Sequence, residues 1–419
     1  MKQKENVILQ GFKLKFRYFD WKLLAPYLLM MAIGVIMVYS SSSYMAMTLF
    51  NNSEYFFIRQ LVFAVVSLGI VGFLSLINHR IIKSKGLIGI ALVALFFALL
   101  YLIVVGFITK GASATNGASA WMNIGTFGIQ PTEFLKIAMI LYLAVFFSNN
   151  QQALAEIGYE GEKDEAKTTK FRFVLKQMTR LLKKPLIFMA VFLFLVMLQP
   201  DMGGVIIIGG ICFVMFLLSG IRFQYGLLAI SGVGIFYTLF VGIMKLFGNL
   251  PFMPTYMAER FTAFLDPFQD MQDSSFQLVN SFYALARGGM FGVGLGESVQ
   301  KSGYLPESHT DFIISITAEE LGLVGVVVVL TLFFYLVYRI YRISLRVKDS
   351  YSQLVCIGIA TMFLIQGTIN VGGAIGILPL TGVTFPFMSY GGSSILVSSV
   401  AIGIIHNISI KNRIRESQT

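Results

Sequence analysis

Charged side chains are scarce in this 419-residue chain: Asp, Glu, Lys and Arg together make up 13% of it. Soluble domains carry about a quarter, so a fold surrounded by water on all sides is excluded. Cysteine is nearly absent too. Cys212 and Cys356 both fall inside apolar runs, which leaves no disulfide framework and no thiolate metal spacing. They read as small buried hydrophobes.

What fills the chain instead is hydrocarbon. It is 56% hydrophobic, contains 39 Phe and has a mean hydropathy of +0.76. Apolar runs able to cross ~30 Å of bilayer core fall at about 23–43, 56–77, 86–108, 132–148, 186–200, 203–219, 226–246, 312–338, 353–378 and 384–406. The fifth and sixth are separated only by Pro200-Asp201-Met202, so they are either two short spans or one broken element. The pattern predicts an all-α polytopic membrane protein of about ten transmembrane helices. A cytoplasmic segment 1–22 would precede a single transmembrane domain 23–406, and a cytoplasmic tail 407–419 would follow it. The first run is too long for a signal-peptide core and reads as an uncleaved span.

A net charge of +11 would suit nucleic acid, but its placement argues for a bilayer instead. With a cytoplasmic N-terminus, about 25 of the 32 Lys and Arg fall in cytoplasmic segments, as the positive-inside rule requires. They lie in the head (Lys13, Lys15, Arg17, Lys22), around Arg80, Lys83 and Lys85, from Lys163 to Lys184, from Arg339 to Lys348, and in the tail. Both termini are therefore placed in the cytoplasm, and no nucleic-acid partner is expected.

Three connections stand out for length. The stretch about 149–185 is polar and mixed in charge and reads as a flexible cytoplasmic loop. The stretch 109–131 is rich in Gly, Ala, Ser and Thr. The longest, about 247–311, is a large extracellular loop between helices 7 and 8, and it is acidic, which the topology rule does not explain. Two amphipathic helices are predicted inside it. One presents Met257, Phe261, Phe264 and Leu265; the other presents Phe276, Val279, Tyr283 and Ala286, capped by Asp273 or Ser274 and stopped by Gly288. Helices of this kind beside a membrane lie in its interface. The run Gly288–Gly296 lacks the strand and helix that a dinucleotide fingerprint needs, so it reads as a hinge or a close-packing turn.

Ionisable groups at membrane depth cost several kcal/mol unless paired or solvated, so each is a functional candidate. Glu307, His309 and Asp311 stand at the mouth of the run beginning at Phe312, which marks an active site on the outer side. Arg59 opens the second run, and Asp201 sits between the fifth and sixth. Glu133 and Lys136 are three apart, hence on one helix face; they are either a neutralising pair or substrate contacts. Glu319 and Glu320 point in different directions, so at most one shares a cavity with Asp311. Lys245, near a span end, reads as a snorkelling lysine.

Four segments in order resemble one family: Gln130-Pro-Thr-Glu-Phe-Leu-Lys136, Gln199-Pro-Asp-Met-Gly203, Leu305-Pro-Glu-Ser-His-Thr-Asp-Phe312 with Ala318-Glu-Glu-Leu-Gly322, and Gly382-Val-Thr-Phe-Pro-Phe-Met-Ser-Tyr-Gly-Gly-Ser-Ser394. The family is SEDS (shape, elongation, division and sporulation). Asn280-Ser-Phe-Tyr-Ala-Leu and Ser298-Val-Gln-Lys-Ser-Gly-Tyr-Leu-Pro306 look more like its division members than its elongation members.

The resemblance implies a peptidoglycan glycosyltransferase of the bacterial cytoplasmic membrane and division septum. Its substrate would be lipid II, the undecaprenyl-diphosphate-linked disaccharide-peptide. The family's catalytic carboxylate maps onto Asp311, which would act as general base on the acceptor hydroxyl. Arg59, Lys136, or a divalent cation (Mg or Mn) held by carboxylates would stabilise the leaving diphosphate. Glu133, Asp201, Glu307, His309 and Glu320 are the remaining substrate-binding candidates, and His309 would either tune Asp311 or cap the helix after it. No outer segment could cross-link stem peptides, so the resemblance implies a class B penicillin-binding protein as partner, beside other divisome membrane proteins. Glycines of the last two spans (Gly358, Gly367, Gly372, Gly373, Gly376) would either admit that partner's helix or pack internal helices. Two other classes stay open: a lipid II flippase, which intramembrane charge and broken spans would suit, and a non-catalytic divisome scaffold.

The topology has a direct test. Ser302→Cys and Gln272→Cys should react with an impermeant thiol reagent added outside intact cells, and Lys167→Cys should not. Labelling at Lys167 would reverse the orientation argued from charge.

Overall fold

The computed structural model describes residues 15–108, 120–124, 127–156, 167–221, 223–247, 255–268 and 275–418. Its first half contains α1 (Trp21–Phe50), α2 (Tyr55–Leu76), α3 (His79–Ile82), α4 (Lys85–Ile108), β1 (Met122–Ile124), β2 (Phe127–Ile129), α5 (Pro131–Asn149) and α6 (Gln151–Glu156). The second half contains α7 (Lys167–Met197), α8 (Met202–Leu217), α9 (Phe223–Phe247), α10 (Thr255–Leu265), α11 (Phe276–Gly288), α12 (Ile313–Arg346), α13 (Ser350–Ala374) and α14 (Gly392–Glu416). Among the described residues seven helices are long and apolar enough to cross a membrane: α1, α2, α4, α5, α12, α13 and α14. This is a multi-pass membrane protein. The runs read as fifth, sixth and seventh spans fall on α7, α8 and α9, so the pair about Pro200 is two helices joined by a turn.

Several expectations need correction. The fold is not purely helical, because β1 and β2 pair antiparallel with Met122 opposite Ile129. The polar stretch 149–185 is not all loop: α6 and the first half of α7 occupy much of it. The last span begins at Gly392, not 384, and the second-last ends at Ala374. Residues 375–391 between them are irregular, since Pro379, Gly382 and Pro386 interrupt the apolar run. The cap candidates Asp273 and Ser274, the segment 109–119 and the side chain of Lys245 lie outside the described residues.

The centre of the bundle is built on α13 and α14, the two most enclosed spans, with α5, α8, α12 and α2 around them. The glycines of α13 settle one open question. A Cβ at Gly358 would stand 2.7 Å from Ile140 Cγ2 of α5, and one at Gly367 would run into the ring of Phe333 of α12. Gly372 and Gly373 face Leu378 and Leu380, and Gly376 faces Phe282. These glycines pack internal elements and offer no groove to a partner.

The helix α12, read from the sequence as the eighth span, is broken. Gly322 has φ 69° and ψ −173° and divides α12 into a short part whose residues Ile313–Glu320 are buried and a longer part that runs on to Arg346. In hydrocarbon each freed backbone group needs a partner, and the Gly-rich run provides them. Leu323 N donates to Gly289 O and Val324 N to Met290 O, while Val293 N and Gly294 N donate to Glu319 O and Glu320 O. Gly288–Gly296 is thus a close-packing turn. α11 lies against α12 as well, through Gly288 on Ala318, and Ser281 Oγ is 2.7 Å from Ser315 Oγ. Its buried residues are Leu278, Val279, Asn280, Ser281, Ala284 and Gly288, so the expected Val279 points inward whereas the expected Tyr283 is 57% exposed. Small residues win that face because backbones approach closely there.

At the end assigned to the cytoplasm, buried Asp20 accepts from Arg339 Nη2 at 2.8 Å and Ser409 Oγ at 2.8 Å and pairs with Arg413 Nη2 at 2.7 Å. One carboxylate so joins the ends of α1, α12 and α14.

Gly322→Ala should be severely destabilising, by about 3 kcal/mol or more. Its φ/ψ region is essentially reserved for glycine, and a Cβ would strike Gly292 N and Met290 O. Gly209→Ala in α8, where a Cβ meets nothing within 4 Å, is the control. Thermal unfolding in detergent should separate the two; equal melting would refute the packing described here.

Candidate active site

A cavity of about 380 Å³ opens between the ends of α2, α5 and α8, the loop before α12 and the irregular segment 375–391. It gathers Arg59, Glu133, Lys136, Asp201, Glu307, His309 and Asp311, which are scattered over more than half of the sequence. Glu320, the other candidate, does not reach it. Its carboxylate is held by Lys301 Nζ at 2.8 Å and Ser40 Oγ at 2.6 Å. Glu319 is also elsewhere, accepting from Val299 N at 3.0 Å and pairing with Arg287 Nη1 at 3.4 Å. Both glutamates hold the outer loop onto the broken helix, and neither shares a cavity with Asp311.

Asp311 ends the tight turns that precede α12 and is half-buried. Asn370 Nδ2 fixes its backbone by donating to Asp311 O at 2.8 Å, and donates to Val383 O at 2.7 Å. Ser389 Oγ donates to Thr310 O at 2.6 Å. The loop carrying Asp311 is thereby tied to the irregular segment. Gly382, with φ 75°, lets the two approach: a Cβ there would stand 3.4 Å from Arg260 Nη1 and 3.6 Å from Asp311 Oδ2. Burial pushes the Asp311 carboxyl up to about 7, nearby Glu307 adds to the rise, and Arg260 opposes it.

His309 caps nothing. The residue before α12 is Phe312, whose side chain makes no capping bond, and the His309 ring lies between Phe56 at 4.6 Å and Tyr390 at 5.5 Å. Burial lowers its pKa to about 4, against the pull of Glu307, so it is neutral at pH 7. Glu307 accepts from Thr310 Oγ1 at 2.6 Å.

On the opposite wall, Pro131 at the start of α5 puts Glu133 in its first turn, with Lys136 one turn on. Lys136 Nζ pairs with Glu133 Oε2 at 2.7 Å and donates to Gln366 Oε1 at 3.1 Å. Gln366 Nε2 donates to Thr384 O at 3.1 Å, linking the pair to the irregular segment. Asp201 caps α8 by accepting from Gly204 N at 2.8 Å and from Gln130 Nε2 at 3.0 Å. Arg59 lies over the Tyr55 ring, 4.3 Å from its centroid.

Sequence reasoning passed over Arg260, Gln366 and Asn370. Gln366 and Asn370 did carry a signal: two buried amides four apart on an otherwise apolar helix share one face. Arg260 had none beyond being a cation in an acidic loop.

The fold and cavity define a polytopic membrane protein with an ionisable site between its helix ends. Residues 20–414 match the FtsW/RodA/SpoVE family of cell cycle proteins, and the chain belongs to that family. It is 35% identical over 412 residues to a probable peptidoglycan glycosyltransferase FtsW of Lactococcus lactis, covering 96% of this chain and 95% of that one. It is 37% identical to stage V sporulation protein E of Bacillus subtilis over 393 residues, with 92% and 95% covered. Among solved structures it is similar, with a TM-score of 0.69 and 26% identity over 94% of this chain and 98% of the other, to a chain of a peptidoglycan synthase complex that coordinates polymerization and crosslinking. Thermus thermophilus RodA shares the fold, with a TM-score of 0.58, 23% identity, and 93% and 96% covered.

The two roles open to Lys136 predict different mutant behaviour. If Lys136 contacts substrate, Lys136→Met should abolish activity in both the wild-type and the Glu133→Gln backgrounds. If it only neutralises Glu133, the double variant should recover, because no lone buried carboxylate remains. Glycan synthesis by the single and double variants decides, with the first pattern expected.

Proposed function

We propose that this chain is a peptidoglycan glycosyltransferase that polymerises lipid II on the outer face of the bacterial cytoplasmic membrane during cell division. One observation carries the reading: a half-buried carboxylate, Asp311, shares its cavity with three cations, Arg59, Lys136 and Arg260. A glycosyl transfer from a diphosphate needs that pairing. The acceptor hydroxyl gives its proton to Asp311 as its oxygen bonds the anomeric carbon. The bond from that carbon to the diphosphate oxygen breaks, and negative charge grows on the departing diphosphate. Attack opposite the leaving group inverts the anomeric centre. The cell cycle family model and the relatives named peptidoglycan glycosyltransferase FtsW support this reading.

A divalent cation is part of the proposal in a restricted form. Among the described residues no three His, Cys, Asp or Glu side chains converge as a cage. Glu307, which lines the cavity beside Asp311, would share Mg²⁺ or Mn²⁺ with substrate oxygens and water, the usual Mg²⁺ arrangement, and leave Asp311 to take the proton. Such an ion would neutralise diphosphate charge. The cross-linking partner proposed is a class B penicillin-binding protein, within the membrane assembly at the septum.

Asp311→Asn should lower polymerisation of purified lipid II by ~10²–10⁴-fold, the worth of a positioned base. Retention of a third of wild-type activity would remove Asp311 from the role. Supplying lipid II on one side only separates synthesis from transport.

The pH dependence has a definite sign. Asp311 must be ionised to accept a proton, so activity should rise as pH passes about 7. Glu307→Gln should move that rise to lower pH. The folded chain holds this proton more tightly than the unfolded chain, whose carboxyl titrates at about 3.9. Stability from Asp311 is therefore lost as pH climbs from about 4 through about 7. Asp311→Asn should then melt no lower than wild type at pH 8; a lower melting point would mean that inactivity reflects damage to the fold.

A further inference from the structure

On the membrane-facing side, well away from the cavity, a second hollow of about 920 Å³ lies between α4 and α7, floored by α5. We propose that it binds one anionic phospholipid of the cytoplasmic leaflet, with the phosphate between Lys85 and Lys184 and an acyl chain along the groove. Three observations carry this.

The first is charge. Lys85 and Lys184 stand at the same end of the groove, and both are exposed. Neither has an acidic partner among the described residues. This contrasts with Lys83 on the same side, which pairs with Asp349 at 3.3 Å. Two such lysines at the cytoplasmic boundary of an apolar groove are complementary to a lipid phosphate.

The second is length. From Lys85 the groove follows α4 to Phe97, twelve residues and so about 18 Å at the helical rise. Half of a ~30 Å hydrocarbon core is about 15 Å. The groove therefore serves one leaflet and stops at Phe96, Phe97 and Phe192. A partner's transmembrane helix would need a track across both leaflets.

The third is shape. Phe188 packs on Tyr142 at 4.5 Å and on Phe192 at 4.9 Å, giving a continuous aromatic floor. The wall is lowered at Gly89, where an added Cβ meets nothing within 4 Å. An acyl chain fits such an opening by dispersion contact.

The test is retention of phosphatidylglycerol by the full-length protein, read by native mass spectrometry after transfer from mixed phosphatidylglycerol and phosphatidylcholine vesicles into mild detergent. Wild type should keep one phosphatidylglycerol per chain and discard phosphatidylcholine. Lys85→Gln with Lys184→Gln should lower retention about tenfold or more. Gly89→Phe, which fills the groove and leaves both lysines, should do the same. Arg346→Gln with Lys348→Gln removes two charges from the same side, outside the groove, and should change nothing. Each variant is compared at matched melting temperature in phosphatidylcholine alone, so that misfolding is read separately. Retention unchanged in both groove variants overturns the proposal and leaves the groove to a partner's helix. An equal loss in the Arg346/Lys348 control also overturns it, since binding would then follow net charge.

Discussion

A bilayer offers no water to an exposed peptide group, so backbone can leave a helix at membrane depth only where the protein itself supplies partners. That constraint organises this molecule. The chain leaves helical geometry at Gly322 and along 375–391, and at both places donors and acceptors are waiting. At Gly322 they come from the run after α11, backbone to backbone. Along 375–391 they come from the side chains of Gln366, Asn370 and Ser389. The second break is where the polar cavity forms, because amides placed to satisfy backbone also hold the loop bearing Asp311.

Buried charge is used in two ways. Asp20, Glu319 and Glu320 are each saturated by cations and hydroxyls, and they join elements distant in sequence. Such pairs lend little net stability against desolvation but are costly to break. Asp311 differs: burial, with nearby Glu307, raises its proton affinity, and it faces open volume. The contrast separates a group that fastens the fold from one available to a substrate.

Hydropathy alone located the seven helices that are long and apolar enough to cross a membrane among the described residues, because length and composition suffice to mark hydrocarbon. It could not locate the edges of the last two, since Phe385 and Phe387 are as apolar as any helix residue and are buried in irregular backbone instead. Charge at depth found most of the cavity: seven of the ionisable candidates converge there. The same rule misplaced Glu320, whose partners Lys301 and Ser40 lie 19 and 280 residues away. Contacts over such distances leave no periodic trace. The inward face of α11 was found only in part: Val279 is buried as expected, but Ser281, Ala284 and Gly288 were overlooked because small residues mark close approach and a search for large apolar ones passes them by.

The clasp about Asp20 bears on how the chain can be handled by cells and by experimenters. Arg413 and Ser409 belong to the last turns of the final helix, yet they close on the residue that precedes the first. α1 and α14 are thus stitched to each other at one end of the bundle, which closes only once α14 has been made. A ribosome that stopped just short of Arg413 would release every span and the whole cavity, but with a buried carboxylate missing one of its two cations. Quality control at the membrane would then meet a protein complete in its chemistry and unsealed at its base.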